Sequence, residues 1–172
     1  AFFETLNFDA VTVAPYMGED SIRPFLEYDN KFTIVLGLTS NKGSADFQQQ
    51  FIAAQGLPPS QYDLLYQRVI KKVCEWGNED NLMFVTGATK ASDFESIRTI
   101  IPRHFLLVPG VGFQGGSLKE VSTYGLNNDC GLLVNASRAV IYAGSGENFA
   151  AEAQVIAKGY QAEMSGYLSE RN

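Results

Sequence analysis

Five short apolar runs recur along the chain, each rich in Val, Ile, Leu or Phe and most of them followed by a segment with helical character. The runs are Asp9 to Val13, Lys31 to Leu38, Asn81 to Val85, Phe105 to Val108 and Gly131 to Val134. Successive residues in each run are apolar without strict alternation, which is typical of strands covered on both faces in a parallel sheet. This series predicts a single α/β domain over residues 1–172 with right-handed crossovers.

The segments between the strands carry helix start and stop signals. The clearest prediction is a helix from Ser60 to Trp76, with Ser60 as its cap and Asp63 at the capping-box position. A last helix is predicted from about Glu147 to Leu168, with an apolar face that includes Phe149, Ile156, Tyr160 and Met164. Further helices are expected to begin near Gly18, Ser92 and Gly116.

Composition limits the classes of partner. The chain has 172 residues, 45% of them hydrophobic, which is enough to bury a substantial core. Its net charge of −6 argues against a nucleic acid or an anionic membrane as partner, and the basic side chains of Arg68, Lys71 and Lys72 fit a solvated helix face. Cys74 and Cys130 are far apart in sequence and indicate reduced thiols in a cytoplasmic protein.

A glycine-rich loop from Pro109 to Gly116 follows the fourth run. Its glycines let backbone N–H groups approach an anion, and the helix that opens at Gly115 and Gly116 adds a partial positive charge. Gln114 contributes an amide, and Arg138, after the next run, can fork onto phosphate oxygens. The pattern predicts a phosphate site, against the alternative of a glycine-rich turn beside a surface arginine.

Other polar residues give weaker signals. Thr39, Ser40 and Asn41 follow the second run, where they either read the edge of a heterocycle or form a turn. His104 is the only histidine and enters its strand at the opposite end, so no catalytic role is assigned to it. The sequence contains no cluster with metal-ligand spacing and no nucleophile elbow, which disfavours a metal or covalent mechanism.

The positions of the anion signals favour a closed barrel over an open sheet. An open doubly wound sheet usually has its glycine-rich loop after the first strand, whereas (β/α)8 TIM barrels bind phosphate after strands seven and eight. The five runs are therefore predicted to be strands four to eight. Since a barrel usually needs about 250 residues, we expect the first three strands to be absent and Ala1 to Leu6 to end the helix before strand four.

Four blocks of sequence in one order resemble the orotidine 5′-phosphate decarboxylase family, particularly its longer bacterial branch. The blocks are Asp9 to Gly18, Leu38 to Phe47, Pro109 to Gly116 and Asn135 to Arg138. The resemblance implies a TIM barrel that binds orotidine 5′-phosphate (OMP) and decarboxylates it to UMP without metal or organic cofactor. It also implies a homodimer.

The resemblance also assigns roles to individual residues. Arg138 would pair with the phosphate together with the backbone of Gly112, Gly115 and Gly116, and Gln114 would bridge the phosphate and the pyrimidine. Ser40 would hydrogen-bond the pyrimidine, and Pro109 and Leu36 would wall the apolar side of the pocket. Phe113 departs from the small residue that many relatives carry in this loop.

The family's hallmark, an Asp-x-Lys-x-x-Asp run that supplies the proton-donating lysine, does not occur in the sequence. Lys42 and Lys90 do not lie in that pattern, so no catalytic residue is assigned in this chain. One alternative is another phosphosugar-binding barrel enzyme, an epimerase or a β-keto acid decarboxylase. The other is a non-catalytic, phosphate-binding partial barrel.

Overall fold

A computed structural model of the chain describes residues 1–53, 55–112 and 115–171. The strands in these residues are β1 Ala10–Val13, β2 Phe32–Leu38, β3 Phe51–Ile52, β4 Asp63–Leu64, β5 Leu82–Thr86, β6 Leu106–Pro109 and β7 Leu132–Asn135. The helices are α1 Glu19–Leu26, α2 Ser44–Phe47, α3 Leu65–Val73, α4 Phe94–Ile100, α5 Leu118–Gly125, α6 Ser137–Ile141 and α7 Phe149–Arg171. Short 3-10 helices cover Pro15–Met17, Pro59–Gln61 and Ala88–Asp93.

The main sheet has the order β1-β2-β5-β6-β7, and every pair in it is parallel. The five predicted strands are confirmed, each within one residue of its expected bounds. Because each long strand lies beside the long strand that precedes it in sequence, the order never reverses as it does in a doubly wound sheet. This is the arrangement of consecutive strands in a barrel wall.

The two faces of the sheet differ in how they are covered. One face packs against the helices in a single core, in which Val35, Phe84 and Leu106 contribute from the strands and Ile70 and Ile97 from the helices. The opposite face carries a smaller apolar cluster built on Ile34, Met83 and Val85. Parallel register aligns Leu36, Val85, Leu107 and Leu133 in one row across that second face.

The predicted helix from Ser60 to Trp76 is wrong in its first turn. Asp63 and Leu64 are extended and pair antiparallel with Phe51 and Ile52, and α3 begins only at Leu65. The side chain of Gln67 accepts the Leu64 N–H at 2.9 Å. This hydrogen bond caps the start of α3, the role that was predicted for Ser60 and Asp63. The Asp63 carboxylate instead lies 2.6 Å from the Lys71 ammonium and 3.3 Å from the Arg68 guanidinium, which confirms the solvated basic face.

The long C-terminal helix α7 is confirmed, with its apolar face only partly buried. Tyr160, Met164 and Leu168 pack against the large core, whereas Phe149 and Ile156 are exposed, contrary to the predicted continuous face. Within the described part of the chain, no helix combines the length and apolar character that a bilayer crossing requires.

Arg98 closes the end of the sheet opposite the glycine-rich loop. Its guanidinium donates to the carbonyl oxygens of Gly125 at 2.7 Å, Ile101 at 3.2 Å, His104 at 2.6 Å and Gly131 at 2.8 Å. Burial, with a smaller contribution from the nearby Arg171, lowers the pKa of Arg98 to about 10, so it stays charged at neutral pH. One side chain thereby ties α4, the end of α5 and the starts of β6 and β7 together.

His104 lies at this same end, as predicted, and its surroundings are those of a core residue. The side chain is 8% exposed and its ring centroid is 5.7 Å from that of Phe84. Burial lowers the pKa of His104 below its ordinary value, so the imidazole is neutral at pH 7.

Replacing Arg98 with Met should destabilise the fold strongly. Four carbonyl oxygens lose a charged donor at once, and with about 1 kcal/mol or more per lost bond we expect a decrease of about 3 kcal/mol or more in the free energy of unfolding. Chemical denaturation of the full-length protein measures this decrease. Arg68→Met is the matched control, because its pair with Asp63 is partly exposed and worth less than about 1 kcal/mol. Equal losses for the two variants would contradict the role of Arg98.

Candidate functional site

The carboxyl ends of the five parallel strands meet at one edge of the sheet, which we call the rim. The segments that follow β2, β5, β6 and β7 there are Thr39 to Asn41, Gly87 to Thr89, Gly110 to Gly116 and Ala136 to Arg138. Since these strands are neighbours in the sheet, the four segments lie side by side, although about 100 residues separate the first from the last.

Ser40 and Gly87 are in direct backbone contact. A Cβ placed on Gly87 would lie 2.6 Å from the Ser40 nitrogen, 2.8 Å from its Cα and 2.7 Å from its Cβ. The Gly87 N–H donates to the Leu38 carbonyl at 2.8 Å, which fixes this approach. Only glycine fits here, so the end of β5 presses Ser40 into place at the rim.

Thr39 and Asn41, on either side of Ser40, are engaged in a local turn. The Thr39 hydroxyl donates to the Asn41 Oδ1 at 2.6 Å, and Gln48 accepts the Thr39 N–H at 2.8 Å through its Oε1. The turn interpretation is therefore right for Thr39 and Asn41. Ser40, half-buried between them, remains the residue of this segment proposed to meet a ligand.

The glycine-rich loop folds back on itself. The Gly112 N–H donates to the Gly116 carbonyl at 3.0 Å, the Gly115 N–H to the Gly112 carbonyl at 2.8 Å and the Gly116 N–H to the Gly110 carbonyl at 3.2 Å. These three donors, expected to point at an anion, are used inside the loop in this structure. An anion that binds to them must therefore displace internal hydrogen bonds.

The helix that follows the loop begins as expected. Ser117 caps α5, and its hydroxyl oxygen accepts the Glu120 N–H at 3.3 Å. At the loop's end, Gly116 lies so close to Ala88 that a side chain at 116 would overlap the Ala88 methyl group. The loop is thereby held against the segment after β5, next to the Ser40 contact.

Arg138 lies one residue inside α6, directly after β7, and its side chain is exposed. Its neighbour Ala139 faces the loop, because a Cβ placed on Gly112 would lie 3.5 Å from the Ala139 Cβ. Arg138 therefore belongs to the same part of the rim as the loop. Gln114 and Phe113 lie outside the described residues, so the position of the Gln114 amide stays a prediction.

The two predicted wall residues lie on the second face of the sheet. Leu36 packs against the Ile34, Met83 and Val85 cluster. Pro109 is half-buried and pairs with Asn135, two residues beyond the Leu107 and Leu133 row and therefore on the same face but closer to the rim. An apolar surface thus extends from this face toward the loop.

Sequence reasoning missed two residues of this region. Gly87 had a usable signal, since Gly87 and Ala88 follow a fully buried strand in the way that Thr39-Ser40-Asn41 follows β2. Tyr160, on α7, contacts the loop at Gly112, and nothing in its periodicity indicated more than a core position.

Comparison with known proteins points to one family. The sequence profile of the "Orotidine 5'-phosphate decarboxylase / HUMPS family" matches residues 1–153. The chain is 53% identical over 167 residues to an orotidine 5'-phosphate decarboxylase of Bacteroides fragilis, covering 97% of this chain and 58% of that protein. It is 55% identical over 169 residues to that of Phocaeicola vulgatus, covering 98% and 60%.

A solved structure gives the same result for the fold. The OMP decarboxylase of Leishmania donovani superposes with a TM-score of 0.75 at 33% identity, over 94% of this chain and 60% of that one. The predicted TIM-barrel fold class is confirmed. The chain spans about 58% of the length of the Bacteroides relative that it matches.

Gly87→Ala should disrupt the rim. The added methyl group would meet Ser40 backbone atoms at 2.6 and 2.8 Å, so the strand ends must move apart, and we expect a loss of about 1–3 kcal/mol in unfolding free energy. Gly159→Ala in α7 is the control, because no atom lies within 4 Å of its Cβ position and alanine favours a helix by about 0.5–1 kcal/mol. Denaturation midpoints that move in the same direction for both variants would contradict the contact.

Proposed function

The chain belongs to the orotidine 5′-phosphate decarboxylase / HUMPS family, and on that basis we propose that it forms the phosphate- and pyrimidine-binding part of an OMP decarboxylase. The whole protein would convert OMP to UMP and CO2 in pyrimidine synthesis, without a metal or organic cofactor. Residues 1–172 would be a single domain, the C-terminal portion of a TIM barrel that carries strands four to eight.

One observation carries the proposal beyond family membership: a continuous line of contacts along the rim. Ser40 touches Gly87, Ala88 touches Gly116, and Gly112 of the same loop lies beside Ala139, which follows Arg138. Residues that can bind a heterocycle and residues that can bind a phosphate thus lie in one continuous wall along the rim. A nucleotide 5′-phosphate has these two ends.

Each residue has a proposed role in that wall. Arg138 would form paired hydrogen bonds to phosphate oxygens, joined by the backbone of Gly112, Gly115 and Gly116. Gln114 would connect the phosphate to the pyrimidine, and Ser40 would hydrogen-bond the ring. Leu36 and Pro109 would supply the apolar side near the departing carboxylate, where a low dielectric disfavours the charged ground state.

The proton donor is not among these residues, since the Asp-x-Lys-x-x-Asp run is absent from the sequence. We propose that it comes from the part of the barrel that the longer relatives have and this chain does not span. A cytoplasmic homodimer completes the proposal. It is supported by the apolar side chains of Tyr16 and Met17, 92% and 77% exposed beside the rim, and by the free thiols of Cys74 and Cys130.

The first test is turnover by the protein as its source organism makes it. With OMP as substrate, we expect UMP and CO2 in equal amounts, at the same rate with and without a chelator of divalent cations. Loss of activity with the chelator would favour a metal-dependent phosphosugar enzyme. UMP binding without turnover would identify a non-catalytic phosphate-binding barrel, and either result would overturn the proposal.

Arg138→Ala in the same protein tests the phosphate site. Binding energy from a remote phosphate contributes to transition-state stabilisation, so we expect kcat/KM for OMP to fall about 100-fold or more, roughly 2.7 kcal/mol. Arg23→Ala is the control, because Arg23 lies on α1 and pairs there with Glu19, away from the loop. A decrease of less than about 3-fold for Arg138→Ala would contradict the assignment.

A further inference from the structure

Tyr160 stands where the glycine-rich loop, α6 and the core meet. Its half-buried ring packs against the large core cluster from α7, about 48 residues beyond the loop in sequence. At the other end of the ring, a Cβ placed on Gly112 would overlap the Tyr160 hydroxyl oxygen and would lie 3.5 Å from its Cζ. The hydroxyl therefore occupies the space that a side chain at position 112 would need.

The same contact reaches the helix that carries Arg138. The same Cβ position of Gly112 lies 3.5 Å from the Ala139 Cβ, so the tip of Tyr160 and the residue after Arg138 both meet the loop at Gly112. Gly112 has a φ of +77°, a left-handed conformation that glycine adopts without strain. A larger residue there would both strain the backbone and collide with Tyr160.

Gly112 is also the residue on which the loop closes. It donates to Gly116 and accepts from Gly115, so its position sets the position of both glycines proposed to hold phosphate. A tyrosine tip seated on Gly112 is anchored by the rest of its ring in the core. It couples the loop to a rigid part of the molecule without being a ligand itself.

We propose that Tyr160 is a positioning residue for the phosphate end of the site, one that holds the loop at a fixed separation from the Arg138 helix. This rests on the proposed function, in which loop and arginine grip one phosphate together. Two groups that share one anion must keep their spacing, and a displacement of about 1 Å in such a site can reduce the rate by up to about 100-fold.

The test compares OMP with orotidine, the same substrate without its phosphate, in the full-length protein. Tyr160→Leu keeps apolar packing and removes the contact with Gly112, and Tyr160→Phe removes the hydroxyl alone. We expect kcat/KM for OMP to fall about 10-fold in Tyr160→Leu and about 3-fold in Tyr160→Phe, and that for orotidine to stay within about 2-fold of wild type.

Tyr167→Phe is the matched control. Tyr167 lies on the same helix and also packs partly against the core, but its exposed hydroxyl donates to Glu163 at 2.8 Å within that helix, so both substrates should react as in wild type. If the kcat/KM values of the folded Tyr160 variants fall equally for both substrates, so that the OMP-to-orotidine ratio is unchanged, the role of Tyr160 is overturned. If Tyr160→Leu does not fold, the ratio for Tyr160→Phe decides alone.

Different results would contradict the proposed function and the positioning role of Tyr160. If the wild-type protein does not convert OMP to UMP, the proposed function itself is wrong. If it does and the Tyr160 variants keep the wild-type preference for the phosphorylated substrate, only the positioning role is wrong.

Discussion

Parallel pairing of each long strand with the one before it places every segment of this chain that is proposed to bind substrate at one edge of the sheet. The pairs β1 with β2, β2 with β5, β5 with β6 and β6 with β7 all run in the same direction. Each crossover must therefore return to the opposite end, and each strand must finish at the rim. Ser40 and Arg138 share a wall for this reason alone.

The rim is close-packed, and the packing depends on the absence of side chains. Gly87 lets Ser40 approach, Gly116 lets Ala88 approach, and Gly112 receives the tip of Tyr160. The first two contacts connect the segments after neighbouring strands and the third connects the loop to α7, so a displacement at one contact is passed to the next. The loop's three internal hydrogen bonds satisfy the N–H groups of Gly112, Gly115 and Gly116 in this structure. An anion must therefore form stronger hydrogen bonds with these N–H groups than the carbonyl oxygens that it replaces.

The sequence predicted the parts of this arrangement that depend on local pattern. Runs of buried apolar residues marked all five long strands, and the order of glycine loop and arginine indicated a barrel. The prediction of the helix before Trp76 was wrong at its start because Asp63 and Leu64 pair with Phe51 and Ile52. This contact is nonlocal, and no capping pattern shows it. Tyr160 was likewise placed on the correct face of its helix, but its contact at Gly112 follows from how α7 docks, which periodicity does not determine.

The open edges of the sheet fit the proposal that the phosphate-binding groups and the proton donor lie in different parts of the barrel. Leu133 closes the apolar row on the second face yet is 51% exposed, and within the described residues β1 and β7 each pair with one strand only. In a closed barrel those edges pair with further strands and that row becomes a filled layer. In the proposed function the phosphate contacts come from the segments after β6 and β7, whereas the proton donor would come from the part of the barrel that this chain does not span. Energy gained from the phosphate can then assist chemistry at a group held by the other part of the barrel, provided that the wall between them is rigid.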